Sequence, residues 1–294
     1  MNDLMIRAVT VDGSVRAFAA VTTELSCEAQ RMHQTTPVAT AALGRLLTAA
    51  SMMGAFLKSD TDLLTLQLTG NGPLGRVLAV ADSQCRVKGY VGNPLCDIPK
   101  KENGKLDVGS AVGKNGDLTV IRDLGLKEPY VGRIPLVSGE IGDDLTSYFA
   151  TSEQTPSAVG LGVLVERDYT VRCAGGFIVQ VLPYADEEAI SKLEENVARI
   201  GSVTDLLEGG KGPEVLLDAV LDGLEYEVTD RITPKYYCNC SRERVEKALI
   251  SMGEQELTDL IETDGKAQLT CHFCDAVYDF DKQDLQNLLD AAKK

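Results

Sequence analysis

Four cysteines near the end of the chain have the residue type and the spacing to bind a metal ion or to form disulfides. Cys238-Asn239-Cys240 comes first, and Cys271-His272-Phe273-Cys274 follows after thirty further residues. Two close pairs of thiolates, brought together by a fold, form the closed tetrahedral sulfur set of structural zinc sites, which leaves no position for a catalytic water. Because the same thiols can be oxidised, the stretch is predicted to be either a structural clip or a redox switch.

The second pair also has the spacing of a thioredoxin-like redox motif, which is the main alternative. That chemistry places the attacking thiol at a helix N-terminus, where its pKa falls. Here the segment from Asp275 to Phe280 is predicted to be extended, and the carboxylate of Asp275 opposes thiolate formation. A thiol–disulfide oxidoreductase is therefore the second hypothesis, and zinc bound by Cys238, Cys240, Cys271 and Cys274 is the first.

Other catalytic patterns are absent from the sequence, so it predicts no enzyme. The two histidines, His33 and His272, are far apart, and His272 is expected to be an exposed residue between two ligands. Gly70-Asn71-Gly72-Pro73-Leu74-Gly75 matches the spacing of a dinucleotide-binding loop, but such a loop must open a helix. Residues 76–81 have the pattern of a strand instead, so a glycine-rich β-turn is predicted and no nucleotide is expected. The remaining cysteines are expected to be ordinary core or surface residues: Cys27, Cys85, Cys96 and Cys173.

The charge distribution argues against nucleic acid as a partner. The formal charge of −15 is concentrated in residues 185–232, which hold thirteen acidic and four basic residues, and residues 235–294 carry a further −4. Binding to phosphates requires basic surfaces, which these segments lack. No apolar run is long enough to span a membrane, and the N-terminal residues show no export signal. We therefore expect a cytoplasmic protein, in a compartment where clustered cysteines usually bind metals or act in redox chemistry.

The pattern of the chain predicts an α+β fold in three parts. Residues 1–184 are expected to form a large domain with a mixed, mainly antiparallel sheet and a few helices. Residues 185–233 are expected to be an acidic helical linker, and residues 234–294 a small zinc-binding domain. Within the large domain we expect a buried helix from Pro37 to Leu57, a second helix from Ser138, with Asp143 and Asp144 favouring its N-terminus, and a hairpin of strands 107–112 and 117–122.

The folding stability of the last domain, and of the linker before it, is predicted to depend on the metal. Isolated helices as short as those of the linker are marginal in water, so they must dock on something else. Structural zinc contributes roughly 10–16 kcal/mol of binding free energy, whereas the core of a domain of this size supplies about 3–5 kcal/mol. Zinc joins the two cysteine pairs, and disulfides within each pair would leave them unconnected. Loss of the metal is therefore expected to unfold the last domain.

Several motifs together resemble one protein family. The cysteine pattern, the segment from Leu43 to Ala50, Gly72-Pro73-Leu74-Gly75 and the segment from Ser152 to Val159 are similar to those of the heat-shock protein 33 family, the bacterial redox-regulated holdase chaperones. The resemblance covers the full length of the chain. Cys85 departs from it, because the family more often has a turn residue other than cysteine there.

The resemblance implies a function and a mechanism. The reduced, zinc-bound form is expected to be largely inactive. Oxidants under unfolding conditions are expected to release zinc and to form the disulfides Cys238–Cys240 and Cys271–Cys274. The linker is then expected to loosen, and the protein to dimerise and to hold unfolding client proteins without ATP. The surface that binds clients is not defined by any short motif.

Overall fold

The computed structural model describes residues 2–183 and 185–292 as an α+β protein of two compact units. The chain passes from the first unit to the second between Tyr237 and Cys238. The first unit contains two sheets, and the second contains a two-stranded hairpin with three helices. The predicted α+β class is confirmed.

The first sheet has five antiparallel strands. In chain order they are β1 (Leu4–Thr10), β2 (Val15–Val21), β8 (Ser157–Val165), β9 (Val171–Val181) and β10 (Tyr226–Ile232). Their spatial order is β10-β1-β2-β9-β8, so β10 and β8 form its two edges.

The second sheet has six strands. They are β3 (Leu63–Thr69), β4 (Arg76–Asp82), β5 (Arg86–Val91), β6 (Asp117–Asp123), β7 (Tyr130–Pro135) and β11 (Lys235–Tyr236). Their spatial order is β11-β5-β4-β3-β6-β7, and β11 lies parallel to β5 while the other pairings are antiparallel. The glycine-rich segment before Arg76 leads into β4, as predicted, and not into a helix.

One helix, α2 (Pro37–Gly54), is buried on nearly every side and contacts strands of both sheets. Its small residues permit this close packing. A Cβ atom added at Gly54 would lie 2.5 Å from the carbonyl oxygen of Asp82, and one at Gly44 would lie 2.9 Å from the hydroxyl of Ser26. The large core around α2 also includes parts of α1 (Thr23–His33), α3 (Val108–Val112) and α4 (Gly142–Thr151).

Two predictions in the first unit were wrong. Residues 108–112 form α3 and not a strand, because the carboxylate of Asp107 accepts a hydrogen bond from the Ser110 amide and caps a helical turn. The helix expected from Ser138 begins at Gly142 instead. The backbone amides of Val137, Ser138 and Ile141 donate to the carboxylate of Asp144, which holds residues 137–141 as a loop and anchors the helix start.

The acidic segment after residue 185 forms three short helices, α5 (Glu187–Arg199), α6 (Val203–Leu207) and α7 (Glu214–Val220), followed by β10. They pack on one face of the five-stranded sheet and bury Leu207, Leu216 and Leu217 in a second core. Asn196 of α5 is fully buried, and its amide donates to the carbonyl oxygens of Val220 and Asp222, 3.0 and 2.8 Å away. Contacts with the sheet and with one another thus supply the stability that such helices lack alone.

The second unit is small. It contains α8 (Arg242–Ile250), α9 (Glu254–Thr263), β12 (Ala267–Thr270), β13 (Val277–Phe280) and α10 (Lys282–Ala292). Its core consists of seven buried side chains, namely Leu249, Leu257, Ile261, Phe280, Leu285, Leu288 and Leu289. In the part of the chain that the structure describes, no helix combines the length and the apolar character needed to cross a bilayer.

Candidate metal centre

The second unit brings the four predicted cysteines together. Their Sγ atoms all lie within 4.8 Å of one another. The Sγ atoms of Cys238 and Cys271 are 3.7 Å apart, and those of Cys240 and Cys274 are 3.2 Å apart. Zinc–sulfur bonds of about 2.3 Å in a tetrahedron place neighbouring sulfurs roughly 3.8 Å apart. The four thiols therefore fit a tetrahedral metal ion of this size.

The first pair is positioned between a short strand and a helix. Cys238 follows β11 after one residue, and Cys240 directly precedes Ser241. Ser241 is the N-cap of α8, and its hydroxyl accepts a hydrogen bond from the backbone amide of Arg244. The cap fixes the start of the helix, so the side chain of Cys240 is held next to a rigid element.

The second pair occupies the turn between β12 and β13. The carbonyl oxygen of Cys271 accepts hydrogen bonds from the amides of Cys274 and Asp275, and the Cys271 amide donates to the carbonyl of Ala276. Asp275 has a φ of 54°, in the left-handed region that closes tight turns. This turn places both thiols on one side of a hairpin. The helix N-terminus that a thioredoxin-like motif uses is not present here.

Tyr278 of β13 is a polar neighbour of the centre that the sequence analysis missed. Its hydroxyl donates a hydrogen bond to Sγ of Cys240 over 3.1 Å. Burial opposes ionisation of the Cys240 thiol, but hydrogen bonds, led by that of Tyr278, hold its pKa below the usual value. Burial raises the pKa of Cys238 and of Cys274. The signal was available in the sequence, since Tyr278 is the fourth residue after Cys274 in a predicted strand that returns past the cysteines.

The other cysteines and the two histidines lie outside this cluster. Burial raises the pKa of each of the four remaining thiols, in the case of Cys85 to about 12. Nε2 of His33 lies 3.0 Å from the carbonyl oxygen of Gly89 and 3.2 Å from the hydroxyl of Tyr236. His272 is exposed, as predicted. Within residues 2–183 and 185–292, the four-cysteine set is the one group of histidines, cysteines and acidic residues arranged to hold a metal ion.

The fold and the site define a two-unit α+β protein with a four-cysteine centre in the small C-terminal unit. The family model described as Hsp33 protein matches residues 3–281. The chain is 52% identical to the 33 kDa chaperonin of Clostridium perfringens strain SM101, over all of this chain and 93% of the relative. It is also 52% identical to the 33 kDa chaperonin of Clostridioides difficile strain 630, over 98% of this chain and 99% of the relative.

A solved structure is similar over the whole molecule. The crystal structure of the 33 kDa chaperonin, a heat shock protein 33 homologue, from Thermotoga maritima aligns with a TM-score of 0.91 and 37% identity and covers 99% of each chain. The chain belongs to the Hsp33 protein family. The family and the names of these relatives support a molecular chaperone, and they suggest that the protein is not an enzyme.

Proposed function

We propose that the protein is a redox-regulated holdase, a chaperone that binds unfolding or oxidatively damaged proteins without ATP and prevents their aggregation. In the resting form, Cys238, Cys240, Cys271 and Cys274 are reduced and hold zinc. The observation that carries the proposal is the gathering of two close cysteine pairs into one set of four thiols, all within 4.8 Å of each other. A set that binds a metal when reduced and forms two disulfides when oxidised is suited to sense oxidants.

Bound zinc supplies a cross-link between the two pairs and the stability that the small second unit needs. The unit's own core of seven buried side chains is modest, in line with the roughly 3–5 kcal/mol expected at this size. In the folded unit, the turn at Cys271 to Cys274 and the capped start of α8 hold the four thiols close together. The second unit is therefore expected to be folded in the reduced, metal-bound form and unstable without the metal.

Oxidation removes the metal-binding groups. When Cys238 and Cys240 are oxidised, their two thiolates lose two electrons and form an S–S bond. One molecule of hydrogen peroxide accepts these electrons, takes up two protons from solution and is reduced to two molecules of water. Cys271 and Cys274 react in the same way with a second peroxide. Each new bond closes a very short loop, so neither disulfide joins one pair to the other. The segment between Cys240 and Cys271 then lacks the constraint that stabilised it.

Loss of the second unit's fold is proposed to loosen the acidic linker, residues 185–233, which precedes it in the chain. The linker helices bury apolar side chains against the five-stranded sheet. Their release exposes apolar surface beside a segment with a net charge of −9, which keeps the opened protein soluble. The activated protein is proposed to dimerise and to act in the cytoplasm on unfolding client proteins, with no nucleotide, nucleic acid or membrane partner.

A combined oxidation and aggregation experiment tests the proposal. The reduced zinc protein is treated with peroxide at 43 °C, zinc release is followed with a chromogenic chelator, and light scattering reports aggregation of a heat-labile enzyme added afterwards. We expect release of one zinc per chain together with suppressed aggregation, both reversed by dithiol reduction and zinc. Zinc release without any effect on aggregation would contradict the proposal.

A further inference from the structure

The edge strand β8 presents unpaired backbone groups in one direction. Its register with β9 pairs Gly160 with Phe177 and Gly162 with Gly175. The Val181 amide donates to the Pro156 carbonyl in the same ladder, so the even-numbered residues of β8 exchange hydrogen bonds with β9. The odd-numbered residues therefore direct their N–H and C=O groups away from the sheet.

These outward groups have few partners in the described structure. The amide of Val159 donates to the hydroxyl of Thr146 on α4, 3.2 Å away. The N–H and C=O groups of Leu161 and Val163 have no hydrogen-bond partner among residues 2–183 and 185–292. Both residues line an open cleft, where water can satisfy these groups. The backbone of a strand-like ligand would replace that water.

The other long sheet edges carry features that block pairing. On β7 the outward positions include Arg133 and Pro135, and proline has no N–H to donate. The opposite edge of the five-stranded sheet, β10, carries charged side chains at Glu227, Asp230 and Arg231. The sequence of β8, Ser157–Val165, contains neither proline nor a charged residue. Among the long edge strands within residues 2–183 and 185–292, β8 is thus the one that has neither a proline nor a charged residue.

A cleft of about 620 Å³ runs along this edge. Seven consecutive residues of β8, 159–165, form one wall, which is the arrangement expected of a groove that follows a strand. Val203 and Thr204 of α6 form part of the opposite wall. The charged residues that line the cleft are three basic and three acidic, namely Arg45, Lys100, Lys105, Glu140, Asp143 and Asp205. In a chain of net charge −15, this surface is locally neutral.

We propose that the edge of β8 binds an extended, uncharged and apolar segment of an unfolding polypeptide by β-strand addition. The segment would exchange backbone hydrogen bonds with Leu161 and Val163. Its side chains would contact the apolar walls of the cleft. This inference rests on the proposed holdase function and assigns it a binding surface.

The unpaired backbone groups of Leu161 and Val163 favour an extended polypeptide segment as the ligand. Backbone N–H and C=O groups spaced along a strand are matched by another extended backbone, whatever its sequence, which suits a chaperone with many clients. The balance of charges along the cleft favours a neutral segment over a charged one. At Gly162, a side chain would meet Thr204 and Val203 of α6 at 2.9 and 3.1 Å. Loosening of the linker would therefore widen this cleft and increase access to β8.

Amide hydrogen exchange on the full-length protein tests the assignment. The probe is a fluorescein-labelled decapeptide of alternating valine and threonine, added to both the reduced zinc protein and the peroxide-treated protein. We expect tighter binding to the oxidised form and at least about tenfold slower exchange at the amides of Leu161 and Val163. Failure of the peptide to bind in either state, or slower exchange only outside β8, overturns the inference.

A proline variant provides a second test. Leu161→Pro removes one outward N–H and should weaken peptide binding at least about tenfold. Val131→Pro, at an outward position of β7, is the matched control and should bind as the unmodified protein does. If Leu161→Pro binds the peptide as tightly as the unmodified protein does, the inference is overturned. The holdase proposal would still stand in that case, provided that the unmodified oxidised protein suppresses aggregation. If Leu161→Pro strongly lowers the melting temperature, the variant is set aside, and hydrogen exchange on the unmodified protein decides whether the peptide binds at β8.

Pairing of β8 with a second copy of the chain is a separate outcome. It would give slower exchange at Leu161 and Val163 without peptide, increasing with protein concentration. That result would overturn the assignment to client segments.

Discussion

The hydroxyl of Tyr278 donates a hydrogen bond to Sγ of Cys240 over 3.1 Å. This bond to Cys240 is the main reason that the pKa of Tyr278 is raised, to about 12. The phenol therefore remains a protonated donor at neutral pH. A donor of this kind favours the thiolate form of the cysteine and orients it toward a metal.

Tyr278→Phe removes this donor and keeps the ring. We expect zinc affinity to fall about tenfold, as for other residues that hydrogen-bond to a metal ligand, and zinc release by peroxide to become faster. Competition with a chromogenic chelator measures the first effect and stopped-flow detection of free zinc the second. Tyr169→Phe, at an exposed tyrosine of the first unit, is the control. Unchanged affinity and release would show that the hydrogen bond has no influence on the centre.

Removal of the metal should unfold the second unit. Chelation under reducing conditions is expected to abolish most of the helical signal of α8, α9 and α10, because zinc binding contributes more free energy than a core of this size. Cys271→Ser should do the same without a chelator. Cys96→Ser changes a buried thiol of the first unit and should retain both zinc and the helices. Circular dichroism with metal analysis distinguishes these results, and a fully helical zinc-free unit would contradict the prediction.

Weakening the linker core should activate the protein without oxidant. Leu217 of α7 is fully buried against the five-stranded sheet, and Leu217→Ala is expected to destabilise that packing by about 2–5 kcal/mol. The reduced, zinc-bound variant should then suppress aggregation of a heat-labile enzyme. Glu194→Ala, on the exposed face of α5, should remain inactive until oxidised. If the reduced Leu217→Ala protein is less stable but still inactive, release of the linker does not by itself activate the chaperone, and the prediction is wrong.

A buried carboxylate should make the stability of the first unit depend on pH. Asp3 is 4% exposed and accepts hydrogen bonds from the amides of Glu24 and Leu25. Burial outweighs these bonds and raises the pKa of Asp3 from 3.8 to about 6. The folded state then binds more protons than the unfolded state between these values. The free energy of unfolding should fall by about 2 kcal/mol as the pH rises from 4 to 7.

Asp3→Asn isolates this contribution. The variant lacks the ionisable group, so its free energy of unfolding relative to the unmodified protein should increase with pH across the same interval. Urea unfolding at pH 4.5 and pH 7.5 measures the difference. A constant difference between the two proteins would mean that Asp3 titrates alike in the folded and unfolded states.

The centre was predictable from sequence because its chemistry is local. Each cysteine pair spans three or four residues, and four thiols in one small unit need little else to indicate a metal site. The helix at Pro37 was equally accessible, since proline at the first position and a long run of small and apolar residues mark a buried helix. Resemblance to a known family added the redox function and the disulfide pairing.

The missed elements depend on contacts between distant parts of the chain. β10 alternates weakly and is rich in charge, yet it pairs with β1, and Ile232 lies opposite Met5. β11 has only two residues and is defined by β5, far earlier in the chain. The helix α3 was mistaken for a strand because its valines and glycine fit both patterns, and the cap by Asp107 decided the outcome. Periodicity within a short window carries none of this information.

The buried amide of Asn196 makes two of the linker helices, α5 and α7, respond as one body. Its two bonds join α5 to the end of α7, and breaking them individually would leave buried polar groups unsatisfied. Opening is therefore concerted in the proposed mechanism. A partly oxidised sample should hold a mixture of fully closed and fully open molecules, so the dose of oxidant would set how many chaperones are recruited and not how far each one opens.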